Sequence, residues 1–199
     1  EELRLFGEHE RLSEQIDYYK ESETVDDLFE RVLARIEEDH GAAIMRQIMM
    51  ALWAARSGLR EEELLAYTGI PLMKWAHIRH ALGPALLENS GRYVFSHDYL
   101  SIAVSDRYMA GNNCLGQEGQ SEEALALRRK AHIRLAEWFE ANAFQDDDTV
   151  NSARAAEEIP YQWQKAASWE RLHESLTDIN LFQAHVSGRD KGELLGYWL

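Results

Sequence analysis

Val25, Leu28, Phe29, Val32, Leu33 and Ile36 recur at steps of three and four, behind Thr24 and ahead of Gly41. That period places all six along one side of a helix. Thr24 is a good N-cap, and Asp26 and Asp27 stand in the first turn, where the positive helix end favours carboxylates. Gly41 supplies the stop. A helix with one apolar face needs a packing partner. The rest of the chain offers mostly more helices, because strand-like runs are few and only 3 prolines interrupt it. The fold class is therefore expected to be mainly α.

Ile44, Ile48, Leu52 and Trp53 mark a following helix that Gly58 ends. Leu59 opens a short element in which Arg60-Glu61-Glu62-Glu63 leads into Leu64-Leu65 and Gly69. Pro71 starts the next helix, with Trp75, Ile78 and Leu82 along one side and Gly83-Pro84 interrupting it. Leu86-Leu87 leads to a turn at Glu88-Asn89-Ser90-Gly91. Tyr93, Val94 and Phe95 are β-prone and read as a short strand. Helix resumes from Ser101 to Met109. Helix, short helix, helix, turn, strand, helix is the order of a winged helix with a reduced wing. Leu59–Gly69 and Leu72–Leu82 would be its helix-turn-helix pair.

Gly111 to Ser121 is polar and Gly-rich and reads as a linker. Beyond it, Leu125, Leu127, Ile133, Leu135, Trp138 and Phe139 mark a strong helix. Gln145-Asp146-Asp147-Asp148-Thr149 reads as an acidic turn, and Ala153 to Trp163 as helix. Ser168 caps another helix, with Trp169, Leu172 and Leu176 on one face, and Asn180-Leu181-Phe182 opens one more. The expected organisation is a winged-helix domain with a leading helix over 23–110, a linker over 111–121 and a helical, superhelical-like domain over 122–199. No second copy recurs at a fixed period, so the residues do not establish a repeat array. The apolar run Leu195-Gly196-Tyr197-Trp198-Leu199 is expected to dock on this domain or on residues that follow it.

The formal net charge of −14 disfavours nucleic acid, whose binding comes largely from Lys and Arg neutralising phosphates. No apolar run approaches the ~20 residues of a membrane-spanning helix. The single cysteine, Cys114, makes no intrachain disulfide and suits a reducing compartment. It lies in Gly111-Asn112-Asn113-Cys114-Leu115-Gly116, where an idle loop thiol outweighs a nucleophile. Glu1-Glu2-Leu3-Arg4 is neither a signal nor a start methionine and reads as a cut through a longer protein.

Several stretches carry a resemblance. They are Glu1-Glu2-Leu3-Arg4-Leu5-Phe6-Gly7, Glu23-Thr24-Val25-Asp26-Asp27-Leu28-Phe29, Gly58-Leu59-Arg60-Glu61-Glu62-Glu63-Leu64-Leu65, Phe95-Ser96-His97-Asp98-Tyr99-Leu100 and Trp169-Glu170-Arg171-Leu172. In order and spacing they resemble the C-terminal half of STAND-class signalling NTPases of the NACHT/NB-ARC type, which often carry tetratricopeptide repeats. The resemblance implies that residues 1–22 are the tail of an upstream helical subdomain. It also implies that a P-loop domain and a magnesium-binding acidic strand lie further upstream, since no G-x-x-x-x-G-K-[ST] run occurs in this chain. His97 matches the family's Met-His-Asp nucleotide sensor, with Ser96 in place of the Met and Asp98 supporting the ring or capping the next helix. The implied role is to hold the ADP-bound inactive state and to relay exchange for ATP, with ADP, ATP and magnesium bound only by the full-length protein. Self-oligomerisation and a cytoplasmic location follow from the same resemblance, and no catalysis is expected of this fragment. His97 and Asp98 also read as a plain helix-entry turn without a ligand.

His77 and His80 lie three apart beside Lys74 and Arg79, but no Cys or carboxylate cluster completes a metal set. They read as a polar face. This is the position of a DNA-reading helix, yet Glu61, Glu62 and Glu63 argue against that use. Trp53, Trp75, Trp138, Trp163, Trp169 and Trp198 are core candidates. No Ser/His/Asp or Cys/His spacing argues for catalysis. Beside the nucleotide switch stands an alternative, a protein–protein interaction module with no nucleotide role. A DNA-binding winged helix comes third.

Overall fold

The computed structural model describes residues 17, 19–109, 122–142, 149–187 and 196–197. These are mainly α-helical, with one three-stranded sheet. The chain forms two compact units, one of Glu1–Trp53 with Ser57–Ser121 and one of Ala54–Arg56 with Glu122–Leu199. Nothing in the sequence marks Ala54–Arg56 as part of the second unit. The expected helix at Glu1–Phe6, most of the short helix at Leu12–Tyr19, the linker over 111–121 with Cys114, and Trp198 lie outside the described residues.

The first unit opens with α1 (Val25–His40), where Thr24 Oγ1 accepts the Asp27 N–H at 3.2 Å. Leu33 and Ile36 are fully buried, while Val25 at the entry turn stays exposed. Helix α2 (Ala42–Ala54) buries Met45, Ile48, Met49 and Leu52. It stops at Ala54, ahead of the expected Gly58. Strand β1 (Leu59–Arg60) and helices α3 (Glu61–Thr68) and α4 (Leu72–Leu82) follow. The Glu63 carboxylate accepts the Arg60 N–H at 2.8 Å and caps the entry of α3. A 3-10 turn at Gly83–Ala85 leads into β2 (Leu86–Asn89), β3 (Arg92–Phe95) and α5 (Asp98–Met109).

The strand order is β1-β3-β2, antiparallel throughout. A strand before a helix-turn-helix, pairing with the far strand of the following hairpin, is winged-helix topology. Glu88 and Asn89 pair with Tyr93 and Arg92 rather than turning. The turn is Ser90-Gly91 alone, with φ of 53° and 76°. Two left-handed residues match the twist of a tight hairpin. Strand β1 escapes a reading by pattern because two residues offer no alternation.

The unit's core includes Trp75, Ile78 and Leu82 of α4 and also Leu59, Tyr93, Leu100 and Val104, all buried. Trp75 meets Tyr93 edge-on at 5.2 Å, and its Nε1 donates to Glu61 at 3.0 Å. Across α1 and α5, Arg107 donates to Glu37 at 2.8 and 2.6 Å, and the Tyr108 hydroxyl donates to the same carboxylate. Burial pushes the Glu37 carboxyl up, but the Arg107 and Tyr108 hydrogen bonds outweigh it and hold it below the usual range.

In the second unit, α7 (Thr149–Lys165) packs against α6 (Glu122–Asn142), α8 (Trp169–Thr177) and α9 (Ile179–Ser187). Thr149, expected in an acidic turn, is the first residue of α7. The buried side of α6 is Ala124, Ala131, Leu135, Ala136 and Phe139, facing Ala155, Ala156, Ile159 and Trp163 of α7. The alanines allow close approach of the two helices and leave Leu125 outside. Ser168 stands at the N-cap of α8 without a side-chain capping bond. Trp169 is 63% exposed, so the expectation that it is core fails. It shares a face with Leu172 and Leu176 by spacing but stands in the first turn of α8, where it is exposed while those two are buried.

Candidate functional site

Among the described residues no group of three or more His, Cys, Asp or Glu could hold a metal ion. No described helix is long and apolar enough to cross a membrane. The surfaces that remain are one turn and two helix faces.

His97 sits between β3 and α5, where Ser96 N–H donates to Ala85 O at 3.0 Å and Leu100 N–H donates to His97 O at 3.1 Å. These bonds form a helix-entry turn. His97, Asp98 and Tyr99 are exposed. No hydrogen bond joins the His97 ring to Asp98 among the described residues. Asp98 is itself the first residue of α5 rather than a cap before Tyr99. Its charge still suits the positive helix end. The Ser96 hydroxyl is buried without a partner.

On α4, Trp75, Ile78 and Leu82 face inward and Leu72, Met73, His77, Arg79 and His80 face outward. Arg79 is committed. It donates to the Tyr93 hydroxyl at 2.6 Å and lies 5.7 Å above that ring.

Helix α9 buries Leu181 and His185 and exposes Ile179, Phe182 and Val186. Steps of three and four put these three on one face. Asp178 fixes the entry by accepting the Asn180 and Leu181 N–H groups at 2.8 and 3.0 Å. The sequence marks this helix but not its apolar outer stripe, because periodicity alone does not say which apolar side a neighbour covers.

Within the second unit, α7 carries a buried polar ladder. Arg154, Glu158 and Gln162 stand one turn apart and are at most 2% exposed. Arg154 approaches Glu158 Oε1 at 2.7 Å, a charge contact that lacks hydrogen-bond alignment at that oxygen. Gln162 Nε2 donates to Glu158 at 2.7 Å and to Ala54 O at 2.8 Å. Arg56 N–H donates to Glu158 at 3.2 Å, and the Arg56 guanidinium donates to Glu157 O at 3.2 Å. Gln162 Oε1 lies 2.7 Å from His132 Nδ1. Burial, with Lys165 nearby, holds the His132 imidazole below its usual range against the opposing Gln162 bond. The neutral ring therefore carries its proton on Nδ1 and donates it to Gln162. The ladder anchors the Ala54–Arg56 segment.

No family model matches the chain, and no solved structure matches it. A TPR repeat-containing protein of Dictyostelium discoideum is 27% identical over 204 residues, covering 100% of this chain. The chain spans 11% of that relative's length.

Proposed function

We propose that this chain is a protein–protein interaction module, a winged helix joined to a repeat-like array of short helices. The carrying observation is the outer face of α9, where Ile179, Phe182 and Val186 stay exposed along one stripe. Stacked helix pairs bind partners on such surfaces. Similarity to a TPR repeat-containing protein supports this reading over a nucleotide-regulatory one. Burying side chains of this size contributes about 1.5–3 kcal/mol each.

A photo-crosslinker at position 182 in the full-length protein, within its native cells, is expected to capture one discrete species. The same group at exposed Gln183 is expected to capture none. Phe182→Glu is then expected to weaken that complex by about tenfold or more. Identical crosslinking at both positions, or unchanged affinity, sinks the reading.

The nucleotide role implied by the resemblance attaches to His97. Its support here is an exposed ring with no hydrogen-bond partner among the described residues, open to a phosphate brought by another domain. In the full-length protein, His97→Ala is expected to speed ADP release and raise basal activity. Unchanged ADP release and activity remove the sensor role.

A further inference from the structure

We propose that a third helix face, the outer side of α6, is a second docking surface, for a short carboxylate-rich segment of another protein. The inference shares the interaction-module reading but stands on a different helix and can fail separately.

Between Glu123 and Glu137 the sequence holds no Asp or Glu, in a chain with 35 of them and a net charge of −14. Inside that stretch α6 carries Arg128, Arg129, Lys130 and Arg134. Arg128 is half-buried, and the other three are exposed. Arg129, Lys130 and Arg134 make no hydrogen bond or ion pair among the described residues. The other described cations of the unit are engaged. Arg56 is bonded to Glu157 O, Arg154 meets Glu158, Arg171 meets Glu140, and Lys165 lies over the Tyr161 ring. Elsewhere the helices pair opposite charges three or four positions apart, as in Arg31 with Asp27, Arg35 with Asp39 and Arg171 with Glu174. At that spacing on α6, Lys130 meets Arg134, a like charge that disfavours the helix. Glu137, three positions beyond Arg134, makes no ion pair with it. The face therefore carries uncompensated positive charge that carboxylates from outside would neutralise.

The size of the face selects the partner. Arg129 and Lys130 stand four and three positions before half-buried Ile133, so both neighbour it on the helix surface. From Arg129 to Arg134 the cations span about 7.5 Å along the axis, at 1.5 Å per residue. Exposed Glu122, Glu123 and Glu137 bound them at the two ends. A nucleic-acid strand or an anionic membrane surface extends past that length and would meet those carboxylates. A segment with a few carboxylates one turn apart, around one apolar side chain, fits within it. Each guanidinium can take a carboxylate through two parallel N–H donors. Exposed ion pairs contribute little singly, so the three cations and Ile133 act together.

The test uses the 199-residue chain and a fluorescent synthetic helix with Glu at positions i, i+3, i+4 and i+7 around one Leu. Saturable binding is expected by anisotropy, weakened by added salt. Lys130→Glu, or Arg129→Gln with Arg134→Gln, is expected to weaken it about tenfold. Lys130→Glu also sets a carboxylate four positions before Arg134, a favourable pair. The thermal midpoint by far-ultraviolet dichroism should therefore hold or rise, which separates lost binding from lost fold. Phe182→Glu on α9 is expected to leave binding unchanged, which separates this surface from the α9 face. Four outcomes overturn the proposal. They are no saturable binding, equal binding of the same peptide with Gln for Glu, binding that Lys130→Glu leaves unchanged, or tighter binding of single-stranded RNA or phosphatidylserine vesicles.

Discussion

Gly58→Ala is expected to destabilise the winged-helix unit by about 3 kcal/mol or more, among the largest effects of any single methyl group. Gly58 has φ of 81°, a left-handed conformation that costs an L side chain roughly 1–2 kcal/mol. A Cβ there would also stand 2.3 Å from the Tyr93 carbonyl oxygen and 2.5 Å from Val94 Cγ1. The carbonyl belongs to β3, whose Tyr93 pairs with Leu59 of β1. Relief therefore requires pulling β1 away from the sheet and disturbing the buried Leu59 beside it. Gly91→Ala is the matched control, since its φ of 76° is similar but no atom lies within 4 Å of the added carbon. It should lose only the conformational part. Denaturant unfolding followed by near-ultraviolet dichroism, with hydrogen exchange at β3 amides, compares the two. Equal losses from both would mean that the approach of β1 to β3 is looser than described.

Glu158→Ala is expected to cost the second unit about 3–5 kcal/mol. The substitution removes the Glu158 charge from Arg154, which is 2% exposed and keeps the half-buried Glu157 at 3.2 Å. It also takes the acceptor from Arg56 N–H and from one Gln162 donor. Glu158→Gln should lose less, because an amide oxygen still accepts one of these bonds. Replacing both charges, Arg154→Met with Glu158→Leu, should recover part of the loss, since a desolvated ion pair contributes little net stability over apolar groups of the same size. The cycle is read by urea unfolding of the chain, with Trp163 fluorescence reporting the second unit. A Glu158→Ala loss below about 1 kcal/mol would show that water reaches the ladder.

Much of the winged helix was legible. The Thr24 cap, the Gly41 stop, the inward Trp75-Ile78-Leu82 side of α4 and the β-prone Tyr93-Val94-Phe95 are local signals, and local forces form them. The misses have physical causes. Strand β1 exists because β3 lies beside it, not because Leu59-Arg60 has a strand pattern. The wing turn moved to Ser90-Gly91 because pairing across to Arg92 recruited Glu88 and Asn89 into β2. On α6 Ala124, Ala131 and Ala136 are buried while Leu125 stays exposed, because which side is covered depends on where α7 packs and not on side-chain hydropathy alone.

The candidate surfaces divide the same way. By itself the sequence determined that the chain is mainly helical, where most helices begin and end, and that α4 is basic within an acidic chain. These follow from capping, periodicity and charge, which act between residues a few positions apart. Only the tertiary structure decided that Leu72, Met73, Trp169, Ile179 and Phe182 stay outside while Arg154, Glu158 and Gln162 go inside. Burial is set by neighbours remote in sequence. Arg56 and Glu158 are 102 positions apart, and Ala54 and Gln162 are 108 apart. No local pattern encodes such a meeting, because each side chain's environment is made by the rest of the chain closing around it.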